Sequence, residues 1–126
     1  MNKPESRSDL TELRDLVREF VNERDWDKFH TPKNLATALS VEASELLEPF
    51  QWLVSGDKHE IDETKLTAIR HEMADVLVYL VRLADKMEVD LFQAVLEKMA
   101  LNRAKYPADQ VRGDSRKYSE YKDKNQ

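Results

Sequence analysis

Leu10, Leu13, Leu16, Val17, Phe20 and Val21 recur at i, i+3, i+4 spacing after Ser8-Asp9, which predicts an amphipathic helix. The period is lost in Arg-Asp-Trp-Asp-Lys-Phe-His, residues 24–30. Thr31 then reads as an N-cap and Pro32 as the first helical residue, where a missing N–H is harmless. Leu35, Leu39, Leu46, Phe50 and Leu53 mark one face of this second helix, until Ser55-Gly56-Asp57 breaks the chain. A third helix over roughly 63–87 carries Leu66, Ile69, Met73, Val76, Leu77, Leu80, Leu83, Ala84 and Met87. A fourth opens at Asp90, with Gln93 at capping-box spacing, and runs to about Lys105 before Pro107. β-branched alternation and hairpin dipeptides are missing, so the pattern predicts an all-α four-helix bundle with short connections. Residues 1–107 form the helical domain; 108–126 read as a polar tail whose sizeable apolar groups are Val111, Tyr118 and Tyr121.

Composition sharpens this picture by exclusion. Charged residues make up 36% of the 126 and hydrophobic ones 40%, the balance expected of helices that each bury one stripe. Two glycines cannot write a P-loop, a dinucleotide-binding fingerprint or a nucleophile elbow, and without cysteine there is no thiol nucleophile or zinc ribbon. No apolar run reaches membrane-spanning length and the N-terminus lacks a signal-peptide core, so a cytoplasmic protein away from membranes is expected. A net charge of −5 argues against nucleic acid as a partner, because that surface must be basic.

The acids are not scattered evenly. Glu42-x-x-Glu45 lies in the second helix and Glu72-x-x-Asp75 in the third, and i, i+3 spacing puts each pair on one face. Glu42 is in line with Leu35, Leu39 and Leu46, so it interrupts the apolar stripe; Glu72 and Asp75 are flanked by Ile69, Val76 and Tyr79. One such pair could be ordinary surface charge, but two pairs at mid-helix would repel severely in a bundle interior unless a cation joined them. Oxygen-only ligands select Mg²⁺, Mn²⁺ or Ca²⁺. A di-iron site would need Glu-x-x-His on two helices, and His30, His59 and His71 do not supply it. A carboxylate-only site points to phosphate chemistry.

These residues, with 26 positions between the pairs, match the E-x-x-E, spacer, E-x-x-D pattern of a known family. Around them stand Arg24-Asp25-Trp26, Phe29-His30, Asn34-Leu35, Phe50-Gln51-Trp52, Ala74-Asp75-Val76-Leu77-Val78-Tyr79-Leu80, Val89-Asp90-Leu91, Lys98-Met99, Asn102-Arg103, Tyr106-Pro107 and Ser115-Arg116-Lys117-Tyr118. Over about residues 10–120 the chain resembles the MazG-like all-α NTP pyrophosphohydrolases, within them the dCTP pyrophosphatase branch. The resemblance implies a Mg²⁺-dependent enzyme, with Mn²⁺ as the alternative ion. It would cut a (deoxy)cytidine-type triphosphate between the α- and β-phosphates, in nucleotide-pool control or house-cleaning. It implies Glu42, Glu45, Glu72 and Asp75 as catalytic metal ligands. One carboxylate not fully committed to metal could orient the attacking water as general base; which of the four is left open, with Glu45 as the first choice. Trp26, His30, Trp52 and Tyr79 would form the base pocket, though core packing is the competing reading for the aromatics. Lys98 and Asn102, with Tyr106 nearby, would meet the phosphates, where a solvated helix face is the competing reading. It also implies a homo-oligomer, commonly a dimer of dimers.

The chain departs from the family at Ser40 and Ala43, where glycine is common beside the acids, and at His71, where a further acid is common. Pro49 removes the N–H that would bond the carbonyl of Glu45, which predicts a kink that re-aims Phe50 and Trp52. Two alternatives remain open: the same chemistry on dUTP or a modified nucleotide, and a non-catalytic helical interaction module.

Overall fold

The computed structural model describes residues 8–115, and among them every regular element is helical. α1 spans Asp9–Glu23, α2 Pro32–Leu47, α3 Glu63–Lys86, α4 Leu91–Lys105 and the one-turn α5 Ala108–Val111. Each long helix begins at a side-chain cap. Ser8, Thr31, Asp62 and Asp90 accept the N–H groups of Thr11, Asn34, Lys65 and Gln93, and such a cap contributes about 1 kcal/mol. The tail expectation is answered only in part: α5 lies inside it, while Tyr118 and Tyr121 fall outside the described residues.

The second helix is shorter than its apolar pattern suggested. α2 stops at Leu47 and passes into a 3₁₀ turn, Glu48–Phe50, with Pro49 inside it. The Glu45 carbonyl, denied a donor at Pro49, takes the N–H of Glu48 instead. The expected break after Glu45 is therefore a change of helix type.

The chain divides into Met1–Val89 and Asp90–Gln126. In the first unit α3 is the central element, packing against both α1 and α2. Val17 and Val21 of α1, Leu35 of α2, and Ile69, Val81 and Ala84 of α3 form its buried core. α1 and α3 end alike, in left-handed residues that no glycine supplies: Asp25 (φ 53°) and Glu88 (φ 56°). At each end the following N–H reaches back, Trp26 to the Val21 carbonyl and Val89 to that of Ala84, closing a Schellman turn. The second unit carries α4 and α5.

An ion network joins α1 to α3. Arg82 is the buried charged side chain among the described residues, at 5% exposure. Its Nη1 donates to Asp85 (3.3 Å), which also accepts from Nε of Arg18 (2.7 Å). The Arg18 bond holds the Asp85 carboxyl below its ordinary 3.8. A depressed carboxyl contributes stability above its unfolded pKa and loses it as pH falls through the folded value. Asp85→Asn should therefore cost about 2–3 kcal/mol near pH 7, because it leaves Arg82 short of a partner. Urea denaturation at pH 7 and pH 3 should show the deficit shrinking at acid pH.

Candidate metal centre

Packing α2 along α3 brings their acids together for the same reason that it buries Leu35. Glu42 shares the face of that leucine, so it turns toward α3 and meets Glu72. One carboxylate oxygen each of Glu42, Glu45 and Glu72 lies within 4.8 Å of the others. The Oε2 atoms of Glu42 and Glu72 are buried, with no hydrogen-bond partner among the described residues. Burial, then the neighbouring Glu45, pushes the Glu42 carboxyl up to about 7. Burial also raises Glu72, followed by the charges of Glu45 and Asp75. Asp75 itself is exposed, one turn beyond Glu72 and outside the group of three. Its charge nonetheless raises both buried neighbours. Orphaned oxygens of hard donors fit a divalent cation, which would supply both the missing partner and the missing charge.

The connection between α1 and α2 is more ordered than its lost periodicity suggested. The Schellman turn at Asp25 sets Trp26 edge-on to Phe20, ring centroids 5.7 Å apart, and the Arg24 guanidinium lies 3.7 Å over the same Phe20 ring. A 3₁₀ turn at Asp27–Phe29 follows, tied down by Asn34, whose side-chain amide donates to the Phe29 carbonyl (3.0 Å). His30 is half-buried, and its Nδ1 accepts from Nε of Arg82 (3.1 Å). Burial lowers the His30 pKa, and the Arg82 charge lowers it further. Tyr79 is half-buried on α3, whereas Trp52, beyond the 3₁₀ turn, is 84% exposed. Lys98 and Asn102 on α4, and Tyr106 at its C-cap, belong to the second unit.

Two residues escaped the sequence reading. Arg82 was legible only as an i, i+3 partner of Asp85, on the same helix as a long apolar stripe. Glu60 stands in a polar stretch, yet its carboxylate accepts the N–H groups of Val54 (2.9 Å) and Gly56 (3.0 Å), and both the N–H and hydroxyl of Ser55. The Ser55 hydroxyl and these backbone donors hold the Glu60 carboxyl down to about 2. The loop that follows Trp52 is thus pinned by one side chain.

Comparison with known proteins places these features in context. The MazG-like family profile matches residues 37–121. The chain is 47% identical to dCTP pyrophosphatase 1 of Homo sapiens and 43% identical to that of Mus musculus, each over 88% of this chain and 66% of the relative. It therefore spans just under two thirds of the length of those relatives. The crystal structure of a pyrophosphatase from Archaeoglobus fulgidus superposes with a TM-score of 0.74 at 43% identity, covering 84% of this chain and 99% of that one.

The carboxylate cluster has a pH signature. A carboxyl raised in the folded state stabilises below its unfolded pKa of 4.5, and that contribution is lost as pH rises through about 7. In EDTA, the melting temperature should fall over this interval. Added Mg²⁺ or Mn²⁺ should restore it at pH 7.5 and do so less at pH 5.5, where protons compete. Glu42→Gln should flatten both responses. Melting at pH 7.5 that ignores both cations would sink the metal centre.

Proposed function

The chain belongs to the MazG-like family, and from that premise we propose that it is a nucleoside triphosphate pyrophosphohydrolase. Its substrate is a deoxycytidine-type triphosphate, which it splits with water between the α- and β-phosphates to give the monophosphate and pyrophosphate. One observation carries the reading: three carboxylates from α2 and α3 converge, and two of them, Glu42 and Glu72, carry a buried oxygen with no hydrogen-bond partner among the described residues. The 47% identity to a human dCTP pyrophosphatase supports the choice of base. A bound divalent cation, Mg²⁺ or Mn²⁺ in its place, would supply positive charge against the phosphates and lower the pKa of water.

The protein's own groups divide the remaining work. Glu42, Glu45 and Glu72 would hold the cation, and Asp75, exposed one turn beyond Glu72, is the fourth expected ligand. Glu45 serves as general base toward the attacking water. Trp26, Trp52 and Tyr79 offer aromatic faces for stacking, and His30 a polar ring for the base edge. Lys98, Asn102 and Tyr106, all in the second unit, carry groups that can donate to phosphate oxygens. Leu16, Leu47 and Phe92 are each at least 60% exposed, which supports burial against further copies in a homo-oligomer, a dimer of dimers. No helix among the described residues is long and apolar enough to cross a membrane, in keeping with a cytoplasmic role in nucleotide-pool control or house-cleaning.

Pyrophosphate release from a nucleotide panel with Mg²⁺ tests the reading, dCTP being the expected preferred substrate. Glu45→Gln should lower kcat/KM by roughly 10²–10⁴-fold while keeping the helical circular dichroism spectrum. Preference for dUTP or a modified nucleotide would move the substrate and keep the chemistry. Inertness toward every triphosphate would favour a non-catalytic interaction module. Light scattering should give a mass above one chain.

A further inference from the structure

We propose that Arg82 is a positioning residue that locks the His30 ring as the tautomer with its proton on Nε2, so that His30 meets a base only as a hydrogen-bond donor. Three observations converge on this. Arg82 is buried, and its guanidinium is clamped between two acids: Asp27, which also takes Nζ of Lys86 (2.9 Å), and Asp85, which also takes Arg18. With Nη1 and Nη2 held by the acids, the third nitrogen's donor, Nε–H, is fixed against Nδ1 of His30 at 3.1 Å. Among the described residues the His30 ring has no other hydrogen-bond partner, which leaves Nε2 available.

A guanidinium has only donors and keeps its charge at any pH a protein survives. The ring nitrogen that it addresses must therefore be the unprotonated one, and the other carries the proton. Three charged groups act on the ring. Arg82 and Lys86 disfavour a second proton and Asp27 favours it, while burial sides with the two cations. These influences favour the neutral ring, with its proton on Nε2.

The consequence for a nucleotide rests on the base-reading role given to His30 above. A donor-only ring requires an acceptor, and cytosine offers two adjacent ones, its carbonyl oxygen and its unprotonated ring nitrogen. Without Arg82 the proton could move to Nδ1, and Nε2 would face those acceptors as a third.

Long-range ¹H–¹⁵N correlation of the imidazoles in the full chain tests the lock directly. At pH 7.5 the His30 ring should show the Nε2–H pattern. In Arg82→Met that pattern should be lost or mixed, and the protonation midpoint of His30 should rise. Arg82→Lys, which keeps charge and one donor, should retain the low midpoint, an outcome that a purely structural role does not predict. In steady-state assays with dCTP, Arg82→Met should raise KM roughly three- to tenfold, with kcat moving less. An Nδ1–H ring in the wild type, or a ring indifferent to Arg82→Met, overturns the proposal. A disturbed ring with unchanged KM for dCTP overturns its base-reading consequence. If Arg82→Met fails to fold, Arg82→Lys and the wild-type ring pattern still decide the lock. A wild type with the expected ring pattern but no turnover of any triphosphate would support the lock and refute the pyrophosphohydrolase reading.

Discussion

The α2–α3 seam sets three carboxylates within 4.8 Å of one another, two of them with a buried oxygen that finds no hydrogen-bond partner among the described residues, and the molecule cannot relieve this by rotating a helix. Glu42 faces α3 because Leu35 does; turning α2 to expose the acid would expose the leucine, the most deeply buried side chain in the described core. Desolvation and mutual repulsion therefore follow from the same contact that holds the unit together. Apolar replacements at these positions would remove the conflict and relieve the fold. Acids that oppose stability in this way are the physical signature of a candidate functional site.

α3 carries both electrostatic centres of the first unit, and they are opposite in sign. Glu72 belongs to the acid cluster, and Arg82, ten residues on, anchors the cationic network that reaches His30. Ten residues of α-helix separate the two by about 15 Å along a rigid rod. A ligand engaging both centres would have its anionic end measured from one and its polar base edge from the other. Because α1 grips α3 through Arg18 and Asp85, and the connection grips it through Asp27, that spacing depends on packed elements and not on a free loop.

The long helices were readable because each begins with an unambiguous cap and carries a sustained apolar period; Thr31-Pro32 and Asp90 stand where the sequence set them. The pairing of Glu42 and Glu45 with Glu72 was readable for the same reason, since phase along a helix determines what meets its neighbour. The end of α2 was harder. Phe50 and Leu53 continue the apolar period beyond Leu47, and only the missing N–H of Pro49 marks the change to a 3₁₀ turn. Arg82 was out of reach because its partners, Asp27 and His30, lie more than fifty positions away, and periodicity says nothing about contacts at that range. Glu60 was missed because its carboxylate folds back on backbone N–H groups, which carry no sequence signature.

The way α2 ends also separates the roles of its two acids. Glu45 sits in the last turn, where unpaired carbonyls give a helix a partial negative charge, and its own carbonyl has settled for the N–H of Glu48. That terminus adds to the demand for a cation beside it. Glu42 lies three residues, nearly a full turn, further from that end, with a side-chain oxygen sealed from solvent. A ligand must stay fixed, whereas a general base must take a proton from water and give it up. Glu42, with its Oε2 sealed in the seam, fits the task of the proposed ligand, and Glu45, at the end of the α-helix, fits that of the proposed base.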